Sequence, residues 1–230
     1  MHIPDGFLDP KMSGGLLGAA LGSLAYCFAK VSQAVTEKVP QRVLAAAGNA
    51  MGNIKTAGHR ALTGGGARLL RRMAEAGAWV FAAQMFNFPV QSGTSGHLIG
   101  GVFASVLLGP FAGAIVISAV LVVQSLAFGD GGLTALGANI INMAIIASLG
   151  GYYIHAGLKK VFPEQISIAL AAWASVMLAA LACALEIGLS GTMNLASVMK
   201  SMAGVHAIIG AAEALLTVML VMTFRGMESK

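Results

Sequence analysis

The sequence begins MHIPDGFL, and its first two residues hold three nitrogen donors within one dipeptide. These are the terminal amine of Met1, the backbone amide nitrogen of His2 and the His2 imidazole. Amine and amide nitrogens close a five-membered ring on a metal ion. The same amide and the near imidazole nitrogen close a six-membered one. Three donors are then held nearly in a plane with one in-plane position open. A further imidazole fills that position, and the candidate is His97, which ends the polar loop QSGTSGH at 91–97. Four nitrogens in a plane suit Ni(II) or Cu(II), with Co(II) also accommodated, better than tetrahedral zinc or the oxygen-seeking Mg(II) and Ca(II).

Two conditions follow for such a site. Met1 must be retained with its amine free, and the bulk of His2 is expected to protect it from trimming. Residues 1–10 have neither a basic leader region nor an immediate apolar run, so no cleaved signal segment is expected. The amide must also lose its proton, so affinity is expected to rise with pH. Pro4 and Gly6 are expected to turn the strand inward. Asp5 is placed to accept a hydrogen bond from an imidazole N–H or from nearby backbone.

Other polar side chains sit inside apolar stretches, where they are costly in lipid and usually functional. His206 and Glu213 are seven residues apart and share a helix face. Asn139 and Asn142 lie in GANIIN, Glu186 in the apolar run before 190, and Gln84 and Asn87 before the 91–97 loop. Asp5, Ser95, Asn139, His206 and Glu213 are the candidate supporting residues around the ligands. The competing reading for each is a hydrogen bond between helices without ligand contact. His59 and His155 read as surface and interfacial residues. No Ser/His/Asp order, paired carboxylates or nucleotide loop is seen. The glycine triplet at 64–66 is followed by Ala-Arg, so it is not a P-loop. The chain is therefore not expected to be an enzyme, and any transport by it needs an ion gradient or an external motor.

The elements that must position these groups follow from composition. Of 230 residues, 57% are hydrophobic and only 10% charged, with a mean hydropathy of +0.80. Soluble domains carry about 25% charged residues, so an integral, multi-pass protein of the cell inner or plasma membrane is expected. A spanning helix needs about 20 apolar residues. Spans are expected at 12–31, 73–90, 110–128, 133–158, 165–189 and 203–224, with a short third element at 98–108 cut off by Gly109-Pro110. The expected fold class is all-α, about seven transmembrane helices with the amino terminus outside. The whole of 1–230 is then one membrane domain, with a metal-binding segment at 1–11, a basic cytoplasmic linker at 32–72 and an outer loop at 91–97.

Charge supports that topology. Alternating seven elements from an outer amino terminus puts twelve of the fourteen Lys and Arg residues inside, and only Lys11 and Lys200 outside. It also puts Met1, His2 and His97 on one side. The net charge of +5 is accounted for in this way, and nucleic acid is not an expected partner. Cys27 and Cys183 sit within apolar runs and read as packed thiols. In the first span Gly14, Gly18 and Gly22 form one stripe, and Ala25 and Ala29 another. Such spacing serves close packing within the bundle or docking of another membrane subunit.

Four ordered motifs carry a resemblance: MHIPDGFL at the start, NFPVQSGTSGHLIG at 87–100, FGDGGLTALGANIINM at 128–143 and HAIIGAAEALLT at 206–217. Together they resemble the CbiM/NikM family, the substrate-capture membrane (S) subunits of energy-coupling-factor transporters for nickel and cobalt. The resemblance implies an inserted amino terminus and a ligand set of Met1, His2 and His97 for Ni2+ or Co2+ as transported substrate. It also implies an energy-coupling membrane (T) subunit, ATPase (A) subunits that hydrolyse the ATP, and a small accessory membrane subunit. Ala25 and Ala29 are the expected coupling-subunit contact. The linker at 48–72 is longer than the family usually has, and no role is assigned to it. The alternative to this reading is a stand-alone permease or channel driven by a gradient.

Overall fold

The first helix, α1 (Pro10–Val35), starts where the sequence supplies both a cap and a starter. Asp9 accepts from the backbone N–H of Lys11 at 2.9 Å and of Met12 at 3.1 Å, and Pro10 occupies the first turn, where its missing N–H costs nothing. In the computed structural model the described residues are 2–38, 60–86, 88–89 and 95–228. Met1, Asn87, residues 39–59 of the expected linker and residues 90–94 of the outer loop lie outside them, as does the side chain of Ser95.

α2 (Gly64–Gln84) begins at a Thr63 cap, whose hydroxyl accepts from Gly66 N–H at 2.8 Å. Gly66 lies so close to the Val35 carbonyl that any side chain there would collide with it, which ties the start of α2 to the end of α1. The helix therefore starts nine residues earlier than the span expected at 73–90, and it stops at Gln84. Pro89 explains the early stop, because it disfavours helical backbone at Phe88. Residues Phe88–Pro89 instead pair with Ser95–Gly96, and Thr36–Lys38 pair with Arg60–Leu62, both antiparallel. These short pairings are the exceptions to an otherwise helical set of described residues.

α3 (Gly101–Leu108) is the short third element, entered through Gly100 in the left-handed region and closed by Gly109 at φ +87. α4 (Pro110–Val123) continues through a π-helical turn, Gln124–Phe128. α5 (Leu136–Leu158) is π-helical in its middle, Ile141–Gly150. α6 (Glu164–Leu189) and α7 (Leu195–Glu228) pack along each other as the most extensive helix pair. Five of these helices are long and apolar enough to cross a membrane: α1, α4 with its π turn, α5, α6 and α7. Among the described residues, the expected short third element is α3, with eight residues, and the expected second span corresponds in part to α2, which carries Arg68, Arg71, Arg72 and Glu75.

The fall of burial explains where the core sits. α4, α5 and α6 bury much of their surface, whereas α1 contacts the rest mainly through Ala20, Cys27, Val31 and Val35. Gly137 of α5 receives the Leu17 backbone of α1 at a distance no side chain would tolerate. The opposite face of α1 carries Gly14, Gly18, Gly22, Ala25 and Ala29, all exposed. Nothing lies within 4 Å of where a side chain would project from the three glycines. Of the two readings of those stripes, packing inside this bundle is the one the structure does not bear out.

Candidate metal centre

The amino-terminal segment is drawn into the bundle and buried: His2 is 4% exposed and Ile3 fully enclosed. A run of backbone and side-chain bonds holds it there. Ile3 N–H donates to Asn139 Oδ1 at 2.8 Å, and Asn139 Nδ2 donates to the Ile3 carbonyl at 3.2 Å. Gly132 N–H donates to the same carbonyl at 2.9 Å. Further along, Thr192 Oγ1 donates to the Phe7 carbonyl at 2.6 Å.

The Gly129-Asp130-Gly131-Gly132 turn between α4 and α5 makes the seat. Gly131 has φ +90, and a side chain on it would crowd the His2 ring and the Asn139 amide, each 3.1 Å away. A side chain on Gly132 would strike Asp5. The two glycines thus leave the space that the strand fills. Asp5 does not brace an imidazole, as the sequence suggested it could. Its Oδ1 accepts from Thr134 N–H at 2.7 Å and from Thr134 Oγ1 at 2.6 Å, and these donors hold the carboxyl below its usual pKa.

The acid beside the imidazole is Asp130, with Oδ1 2.9 Å from His2 Nδ1. The two atoms are near enough to pair but not aligned as a hydrogen bond. Gln124 also lies near His2, and both of its buried amide atoms lack an aligned partner. The sequence reading passed over Asp130 and Gln124. The signal for Asp130 was its place in a glycine turn that needed a reason to be tight. Gln124 carried the same signal as Asn139, a carboxamide inside an apolar run.

His97 completes the pair. It is fully buried, and its ring centroid lies 4.5 Å from that of His2, with the planes tilted by 32°. The segment 97–100 is non-helical backbone, mostly buried, so its polar groups must be satisfied by protein. Gln84 Nε2 donates to the Ile99 carbonyl at 2.7 Å. Glu213 Oε2 accepts from Ile99 N–H at 2.8 Å, and Oε1 from Gly100 N–H at 2.7 Å. Glu213 and Gln84 therefore serve the broken element that carries His97, without touching His97 itself in any bond described.

His97 Nδ1 lies 2.6 Å from the Leu98 carbonyl, which assigns the proton to Nδ1 and leaves Nε2 as a buried lone pair with no partner. His206, also fully buried, repeats the arrangement: Nδ1 faces the Met202 carbonyl at 2.9 Å, and Nε2 is unpartnered. Burial pushes the His97 pKa well below the usual imidazole value, and positive charge on His2 or His206 pushes it the same way. Burial lowers the His2 pKa as well, against the opposing pull of Asp130. Neutral imidazoles with free lone pairs are ligands in waiting for a transition ion. Among the described residues, no three His, Cys, Asp or Glu side chains converge as a metal cage.

The remaining sequence candidates fall elsewhere. Asn142 Nδ2 donates to Glu186 Oε2 at 2.7 Å, joining α5 to α6. His155 Nδ1 lies 2.9 Å from Ser167 Oγ, near Lys159 and Arg225 at the opposite end. Met1 and the Ser95 side chain lie outside the described residues.

Residues 39–230 match the family model described as CbiM, cobalt uptake substrate-specific transmembrane region. The chain is 33% identical over 219 residues to an Archaeoglobus fulgidus protein named for fused nickel transport, NikMN. That match covers 94% of this chain and 63% of the relative, so the chain spans less than two thirds of that protein's length. It is 36% identical over 221 residues to a Haloquadratum walsbyi protein named for metal transport, covering 94% of this chain and 86% of the relative. Among solved structures, the crystal structure of a transition metal transporter superposes with a TM-score of 0.79 at 28% identity, covering 100% of this chain and 95% of that one.

Proposed function

The chain belongs to the CbiM family of cobalt-uptake substrate-specific transmembrane regions, and from that premise we propose that it captures Ni2+ or Co2+ for an ATP-driven energy-coupling-factor importer. The ion sits at an outward-facing all-nitrogen site formed by the Met1 amine, the His2 amide nitrogen and Nδ1, and His97 Nε2. The observation that carries the proposal is the pairing of two buried imidazoles, 4.5 Å apart, one of which is fixed with its Nε2 lone pair free. With the ion on His2 Nδ1, Asp130 beside it serves as counter-charge. ATP is hydrolysed by partner A subunits, the motion is relayed by a T subunit, and a small accessory membrane subunit completes the assembly. The exposed Ala25 and Ala29 face of α1 is the surface offered to the T subunit.

The gradient-driven permease is the weaker reading. Its relay would run through intramembrane carboxylates such as Glu186 and Glu213; both oxygens of Glu213 are committed to backbone donors, which leaves Glu186, with Oε2 accepting from Asn142, as its one candidate of the two. The test is an alanine inserted between Met1 and His2, followed by calorimetric titration of the purified protein with nickel. The amine then moves out of chelate reach, so high-affinity binding is expected to vanish while helical content is unchanged. Retained affinity would sink the terminal-amine site.

A further inference from the structure

An ion at His2 Nδ1 leaves the other end of that imidazole to be matched. A neutral imidazole that gives its Nδ1 lone pair to a metal carries its proton on Nε2. That N–H is enclosed by protein, because His2 is buried and its Nε2 has no aligned partner among the described residues. A buried donor needs an acceptor, and ligating histidines regularly have one on their outer nitrogen.

The groups around the ring narrow the choice. Asp130 sits at the other nitrogen, with Oδ1 2.9 Å from Nδ1. Asn139 is committed at both ends of its amide to Ile3. His97 Nε2 is given to the ion in the same chelate. Gln124 is placed differently: it is fully buried inside an apolar span, it lies near His2, and neither its Oε1 nor its Nε2 has an aligned partner. A leucine would fill a similar volume without unmatched polar atoms, so packing does not account for a carboxamide here.

The backbone fixes Gln124 against the same turn. It opens the π-helical turn that ends α4, and its carbonyl accepts from Gly129 N–H and, at 3.1 Å, from Asp130 N–H. Gln124 is thereby tied to the residue that faces His2 Nδ1. Such π turns are frequent at functional sites.

We propose that Gln124 is a positioning residue of the metal centre: in the loaded protein its Oε1 accepts a hydrogen bond from His2 Nε2–H and holds the imidazole in the plane of the chelate. This rests on the chelate proposed above, and the test separates the two.

Gln124→Leu is expected to weaken nickel binding about tenfold to a hundredfold in calorimetric titration. The Tm of the protein without nickel is expected to hold or rise, since an unmatched buried amide has gone. Gln124→Glu keeps an acceptor at the same reach and is expected to restore affinity to within about threefold. Square-planar Ni(II) is diamagnetic, so NMR of nickel-loaded protein labelled at histidine reads the ring proton directly. In the wild-type chain His2 is expected to keep a proton on Nε2, downfield and slow to exchange, and in Gln124→Leu that signal should move upfield. The wild-type spectrum decides alone if a variant fails to fold. Full affinity in Gln124→Leu would overturn the proposal, as would a loaded His2 with its proton on Nδ1. A Tm that falls in step with affinity would also overturn it and mark Gln124 as structural. Nickel bound at full affinity after the alanine insertion would sink the chelate itself. An insertion that abolishes binding, beside a Gln124→Leu protein of full affinity, would sink only the role of Gln124.

Discussion

Asn139 grips Ile3 by both ends of its carboxamide, accepting from Ile3 N–H at 2.8 Å and donating to the Ile3 carbonyl at 3.2 Å. One side chain in the middle of the protein thus takes the place of a neighbouring strand for the residue after His2. Asn139→Asp keeps the acceptor and replaces the donor with a second acceptor aimed at a carbonyl. Leaving such buried groups unmatched costs about 1–3 kcal/mol, here charged to the strand and not to the helices. Nickel affinity is expected to fall about tenfold to a hundredfold, with little change in Tm of the metal-free protein. Calorimetric titration beside thermal unfolding separates the two effects. Unchanged affinity would mean that the strand holds without Asn139.

Gly132→Ala attacks the same strand from the turn. The added methyl would strike Asp5 and lie 2.6 Å from Asp5 Oδ1, so strand and turn cannot both keep their places. Nickel binding is expected to weaken at least about tenfold, because steric overpacking costs about 1–3 kcal/mol. Asp5→Asn provides the contrast: its carboxamide can still accept from Thr134, and the loss should be smaller. Both are read by titration with nickel, and a Gly132→Ala protein of full affinity would rule out the seat as described.

Much of this site was legible from residue types. Histidine and carboxamides inside apolar runs stand out because lipid makes them expensive, and His2, His97, Asn139, His206 and Glu213 are all buried in the structure. What the residues do there was less legible. Asp5 reads as a partner for imidazole only by nearness in sequence, whereas the fold turns it to Thr134 and brings Asp130 to His2 from 128 residues away. The function of Gln84 and Glu213 depends on 97–100 being non-helical, and hydropathy cannot distinguish an irregular buried stretch from a helical one. The π segments in α4 and α5 carry no pattern of their own and were invisible. The start of α2 was missed because three arginines hid a helix whose cap is Thr63.

Glu213 anchors the non-helical stretch 97–100, and its replacement should separate support from ligation. In Glu213→Gln one amide face can accept only one of the two N–H groups, and the other meets an NH2. The expected loss is about 1–3 kcal/mol of stability, seen as a lower Tm with or without metal. Nickel affinity should fall in step, since Gly100 and Ile99 fix the backbone that bears His97. His97→Ala differs in kind: it removes a ligand and should abolish high-affinity binding while leaving Tm of the metal-free protein nearly unchanged. A Glu213→Gln protein with normal Tm would show that the stretch holds without the Glu213 carboxylate.

The pH dependence of nickel binding tests which protons the ion must displace. Burial lowers the pKa of His2 and lowers that of His97 further. A histidine depressed in the folded state is neutral there at neutral pH. Acid destabilises it only as pH falls below the unfolded value of about 6.5. Above that point neither imidazole competes with the metal. The protons left to displace are those of the amine, with an ordinary pKa of about 7.7–8.0, and of the His2 amide. Each released proton adds a factor of about ten per pH unit to the apparent affinity. Affinity is therefore expected to rise about a hundredfold per unit from pH 6.5 to 7.5, where both protons count. Above the amine pKa only the amide remains, and the slope should relax to about tenfold per unit. Titration by competition with a chelator across pH 6 to 9 resolves these slopes. A plateau above pH 6.5 would leave the imidazoles as the only titrating ligands and exclude amine and amide together. A slope of one decade that ends near pH 8 would keep the amine and exclude the amide.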